Sequence, residues 1–162
     1  MEEMLDLVNE KDEITGKAAR KEVNEKGLLY RCVGVYVFRN EKIIVEQRSK
    51  NKKIRPMNYS IVEETVQLGE SYASAAIRGV KEELNVEAKE LKPLTKKLIR
   101  DTKYPDNFIM QFYTCKTDAK PKIDSLELNK IEELTLDELK KLTQNNRNVI
   151  TPSLLETIHL IK

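Results

Sequence analysis

The chain has no tryptophan, one histidine and two cysteines among its 162 residues. Each scarcity removes a class of chemistry. With His159 alone there is no pair of imidazoles for a zinc site or a histidine relay, and its place in the last helical stretch points to surface or packing. Cys32 and Cys115 lie inside apolar, strand-like runs, which predicts buried free thiols in preference to a disulfide or metal site. An excess of one charge is missing too, since 29 Lys and Arg stand against 27 Asp and Glu. Basic residues are scattered and aromatics make up 6%, so no nucleic-acid partner is expected. The opening MEEMLDLV is acidic and no apolar run is long enough for a membrane span. Those two features predict a cytoplasmic chain that does not enter a membrane. Nothing marks a homodimer surface, and that assembly stays open.

What is present reads as one domain over residues 1–162, long enough to bury a core. Residues 4–8 are a short apolar run, and 9–16 a polar turn that leads toward a second short strand. Residues 17–26 read as a helix stopped by Gly27. Residues 31–38 carry the continuous β-branched and aromatic run CVGVYVF, as suits a strand buried on both faces, and the turn at Asn40-Glu41 returns the chain as a strand over 42–47. A basic loop follows over 48–59, in which Arg48 and Lys53 are candidates to meet a diphosphate, the alternative being a solvated surface loop. Further on, strands are expected over 96–102 and 107–116, joined by a Pro- and Asx-containing turn, with one more strand within 126–134. Thr135 and Glu138 form a capping box for a helix ending near Leu142, and Pro152 opens a last helix with Leu154, Leu155, Ile158 and Ile161 inward.

The stretch that organises the rest is residues 63–86, EETVQLGESYASAAIRGVKEELNV. Ser71 is a plausible N-cap, and Ala73, Ala76, Ile77, Val80 and Leu84 recur at helical spacing as one buried stripe. Arg78, Glu82 and Glu83 fall beside that stripe, and positions 79, 82 and 83 share one patch. Two adjacent carboxylates on a rigid helix suit a hard divalent cation.

This stretch resembles the Nudix box, whose pattern is Gly, five residues, Glu, seven residues, then Arg-Glu-apolar-any-Glu-Glu-any-Gly-apolar. Glu70, Arg78, Val80, Glu82, Glu83 and Val86 match, whereas Glu64, Gly79 and Asn85 replace Gly, Glu and Gly. Asn85 is the mild departure, because Asn is the usual second choice for a left-handed helix cap. Gly79 is the serious one. In the family the glutamate there is a metal ligand and often the base that activates water, and a mid-helix Gly costs about 1 kcal/mol relative to Ala. Upstream, Gln47-Arg48-Ser49, Lys53, Pro56 and Tyr59 also resemble the segment ahead of the box. The N-terminal segment looks most like the branch containing isopentenyl-diphosphate isomerases and their hydrolase relatives. The isomerase chemistry needs a cysteine just before the box, and Ile61-Val62-Glu63-Glu64 has none.

The resemblance implies an α/β Nudix fold, a mixed β-sheet sandwiched between α-helices. It also implies a hydrolase that cleaves a nucleoside diphosphate linked to another moiety, or a similar diphosphate, by water attack with Mg²⁺ or Mn²⁺ bound. The residues it implies are Glu82 and Glu83 as metal ligands, Arg78 positioning the carboxylates, and Glu70 in a structural role. For the carboxylate absent at Gly79, the candidates are Glu63 and Glu64, with Asp118, Asp124 and Glu127 as others. The alternative is a Nudix-fold module that binds a nucleotide, diphosphate or protein partner without cleaving it.

Overall fold

The computed structural model describes residues 2–162. Its centre is β3 (Tyr30–Arg39), whose apolar run is buried because both faces are covered. Tyr30, Cys32 and Tyr36 face one core; Val33, Val35 and Val37 face the other. β4 (Lys42–Arg48) returns antiparallel through Asn40 and Glu41, both at positive φ, as a tight hairpin turn requires. β8 (Asn107–Lys116) runs parallel to β3, so the sheet is mixed. The seven-stranded sheet has the order β5-β4-β3-β8-β7, with β6 paired to β3 and β9 to β4. Here β5 is Tyr59–Ser60, β6 Val62–Thr65, β7 Lys89–Arg100 and β9 Leu128–Leu134.

Helices cover both faces of this sheet. α2 (Tyr72–Leu84) lies on the valine side through Ala75, Ala76, Val80 and Leu84. On the other side, α1 (Arg20–Lys26), α3 (Leu136–Asn145) and α4 (Pro152–Thr157) contribute Val23, Leu139 and Leu154. The sandwich expected from the resemblance is therefore present. The capping box at Thr135 and Glu138 is formed, and Asn85 closes α2 at φ +56. Both cysteines are buried and free. Among the described residues, no helix is long and apolar enough to cross a membrane.

Several local expectations need correction. The helix placed over residues 17–26 begins only at Arg20, because Lys17–Ala19 belong to β2 (Ile14–Ala19), which pairs with β1 (Met4–Val8). Cross-strand pairing overrides local propensity there. β7 starts seven residues before the expected strand, at Lys89. Its lysines and Pro93 conceal it, and both are tolerated because β7 is the sheet edge. α3 runs on to Asn145, and α4 ends at Thr157, followed by a 3₁₀ turn over Ile158–Leu160. The buried stripe of α2 is rotated from the one expected, for Ile77 is 46% exposed while Gly79 is buried. Glu63 and Glu64 lie on a strand, not a loop.

Candidate active site

Successive residues of a strand point to opposite faces, so β6 separates its two glutamates. Glu64 turns toward α2. A Cβ placed on Gly79 would lie 2.9 Å from Glu64 Cβ and 3.3 Å from Glu64 Cγ. The space beside Gly79 is thus filled by the stem of the Glu64 side chain from the strand. Glu64 Oε1 accepts the Thr65 backbone N–H at 2.9 Å, and burial pushes its carboxyl upward while that N–H and Arg78 pull it back. Glu63 turns the other way and accepts hydrogen bonds from the hydroxyls of Ser60 and Ser153. Ser153 belongs to α4 and Ser60 to β5, so Glu63 is held between them.

Arg78 ties the box together. Its Nε and Nη2 donate to the two oxygens of Glu70 at 2.9 Å each, and Nη2 also donates to the Thr65 carbonyl at 2.7 Å. Nη1 donates to Glu82 at 3.2 Å and lies 3.7 Å from Glu64 Oε2. The Arg78 hydrogen bonds hold the Glu70 carboxyl below its ordinary value. One guanidinium therefore joins loop, strand and helix, and sets where the carboxylates stand.

Glu83 faces inward from α2 and meets Glu46 of β4, which is 2% exposed. Among the described residues, Glu46 Oε2 and Glu83 Oε2 are buried without a hydrogen-bond partner. Two carboxylates cannot satisfy each other unless a proton or cation lies between them. Burial is the main cause that raises both pKa values, with the neighbouring carboxylate adding to it for Glu83. Linkage fixes the sign of the consequence. Between the ordinary 4.5 and about 8 for Glu46, the folded chain keeps a proton that the unfolded chain has lost, so stability falls as pH rises through that window. Melting curves of the metal-free protein and Glu46→Gln at about pH 5 and about pH 9 check this. The variant should lose less stability than the wild type over that range.

These side chains border a cavity of about 490 Å³, lined by Glu46, Glu63, Glu64, Glu82 and Glu83 and by the cations Arg20, Arg48, Lys52 and Arg55. Arg48 is engaged in its own loop, donating to the Ile54 carbonyl at 2.9 Å and the Arg55 carbonyl at 3.1 Å. Lys53 is exposed and does not line the cavity. Lys52 does, paired with Glu127. Asp124 and Glu127 reach the cavity wall, whereas Asp118 pairs with Lys89 away from it. Sequence reasoning missed Glu46, Arg20 and Arg55. Glu46 did carry a signal, as a charge that directly follows the buried run Ile43–Val45.

The donors are of the right kind for a hard cation: several carboxylates converge, and two of their oxygens are buried and unpartnered. Among the described residues, no three such groups are already gathered in metal-binding geometry. Arg78 holds Glu64 and Glu82 toward itself, which accounts for their separation.

Residues 28–152 match the NUDIX domain. The chain belongs to the Nudix family. A Nudix hydrolase of Deinococcus radiodurans is 31% identical over 142 residues, covering 85% of this chain and 82% of that protein. An uncharacterized Nudix hydrolase of Streptomyces coelicolor is 39% identical over 85 residues, which spans only 47% of that protein's length. Among solved structures, DR0079 from Deinococcus radiodurans superposes with a TM-score of 0.78 at 27% identity, covering 97% of this chain and 98% of that one. A MutT Nudix hydrolase from Burkholderia pseudomallei reaches 0.71 at 15% identity over 83% of this chain and 98% of its own, a likeness of fold.

Proposed function

We propose that this Nudix-family protein is a divalent-metal-dependent hydrolase of a nucleoside diphosphate linked to another moiety, or of a similar diphosphate, acting by attack of water on phosphorus. The observation that carries the reading is the Glu64 side chain packed where a residue-79 side chain would stand, with 2.9 Å between the two Cβ positions. The box has lost a glutamate at 79 and regained one, from the neighbouring strand, in the same space.

A bound Mg²⁺ or Mn²⁺ supplies charge neutralisation on the phosphoryl oxygens and lowers the pKa of water. Glu83 and Glu82 of α2 would hold that cation. Glu64 receives the proton of the attacking water at its carboxylate, and its burial raises its pKa, the direction that makes a carboxylate a stronger base. Arg78 fixes the angle of Glu64 and Glu82 through its fork, and Glu70 anchors Arg78. Glu63, held by two hydroxyls, braces β6 against α4. Arg20 and Lys52, which line the cavity, meet the phosphates, while Arg48 shapes the loop.

The test is release of phosphate or nucleoside monophosphate from a panel of diphosphate compounds, with and without Mg²⁺ or Mn²⁺, with Glu83→Gln beside the wild type. Turnover should require the metal and fall by roughly a thousandfold in the variant. Turnover that survives both chelation and Glu83→Gln would remove the carboxylate site from the reaction.

A further inference from the structure

Glu46 is absent from the box and lies outside its segment. On β4, Ile44 faces the core shared with α2, and Glu46, two residues on, has the same orientation. It therefore stands beneath Glu83. The preceding residues Ile43, Ile44 and Val45 are at most 1% exposed, so an apolar side chain would suit position 46 on packing grounds. A carboxylate stands there instead, beside that of Glu83, and the Oε2 atom of each is buried and unpartnered. The other charges that act on Glu46 are Glu63 and Glu64, which oppose its ionisation, and Arg48. Arg48 is committed to the carbonyls of Ile54 and Arg55.

We propose that Glu46 is a metal ligand, and that the cation required by the hydrolase reading sits at the junction of Glu46 on β4 with Glu83 on α2, on the floor of the cavity. This inference rests on that reading and names the residue that completes its site. Two oxygen donors from two rigid elements would fix the cation against both sheet and helix, where ligands from α2 alone leave one side open. The same unpartnered oxygens explain why a carboxylate is kept at a position that packing alone would give to an apolar residue. Metal binding and metal-free stability must then oppose each other at this residue.

The test uses Mn²⁺ alone, titrated calorimetrically into the metal-free full chain, with melting temperatures recorded with and without Mn²⁺. Wild type, Glu46→Gln, Glu46→Asp and Glu83→Gln are compared. Glu46→Gln should weaken Mn²⁺ binding at least about tenfold and raise the metal-free melting temperature at about pH 9, because it removes a carboxyl that burial keeps protonated up to about 8 and that must ionise or hold its proton at a cost there. Glu46→Asp, which keeps the charge on a shorter arm, should also weaken Mn²⁺ binding. If Glu46→Gln binds Mn²⁺ like the wild type while Glu83→Gln does not, Glu46 is no ligand and the hydrolase reading stands. A wild type that takes up no Mn²⁺ overturns both. A Glu46→Gln chain that melts lower without metal, or does not fold, contradicts the proposal, since a purely structural glutamate would behave that way.

Discussion

Gly79→Glu introduced alone will destabilise the protein by about 1–3 kcal/mol, the range for forcing extra atoms into a filled space. The new Cβ meets Glu64 Cβ at 2.9 Å on one side, and both belong to backbone-anchored positions that cannot swing away. Combining it with Glu64→Gly removes the obstruction and recreates the arrangement of the family pattern. The pair should then be strongly non-additive, with a coupling of about 2 kcal/mol in a double-mutant cycle. Activity should follow the same cycle. Glu64→Gly alone loses the carboxylate and its turnover, while the double variant recovers turnover to within about tenfold of wild type. Urea unfolding and metal-dependent product release on the four proteins measure both halves. Additive stabilities would mean that positions 64 and 79 do not compete for space.

Arg55→Ala is expected to cost about 3–5 kcal/mol, the largest loss from any single side chain of the cavity wall. Its guanidinium is 11% exposed and donates to Asp101 at 2.7 Å and to Asp106 at 2.8 Å, both of them 9% exposed. Asp106 also accepts the Tyr30 hydroxyl at 2.7 Å. Without the arginine, two nearly buried carboxylates face each other with no cation between them. The turn at Tyr104-Pro105-Asp106 would part from the basic loop, and the cavity would lose one wall. Arg55→Lys should restore only part of the loss, because an ammonium cannot offer two directed N–H groups from one plane. Urea midpoints at constant slope decide it. A change below about 1 kcal/mol would show the cluster to be dispensable.

How legible all this was depends on whether the signal was local. The run of β3 and the capped, periodic α2 announced themselves, since burial on both faces and helical spacing are visible one residue at a time. Ser71 and Asn85 close α2 as their types predict. β6 was hidden because Glu63 and Glu64 read as polar loop, although their alternation on a strand is what sends them to opposite faces. Ile77 misled in the opposite sense, taking a place in an apolar stripe that in fact runs through Gly79. The sequence links the glutamate lost at 79 to those gained at 63 and 64 but does not say which of the two lies beside the helix. The packing of β6 on α2 brings Glu64 beside position 79 and turns Glu63 toward Ser153. Glu46 was missed for a similar reason, because a charge at the end of an apolar strand gains meaning only from what it faces.

Turnover by Glu64→Gln on the best substrate of the diphosphate panel, at saturating Mg²⁺ or Mn²⁺, tests the central claim most directly. Gln keeps the size and the Thr65 N–H contact but cannot accept a proton from water. A fall in kcat of roughly a hundredfold or more, with the fold and its melting temperature intact, is the predicted result. Full activity in this variant would contradict it, and the box would then have to work without the carboxylate that stands in for residue 79.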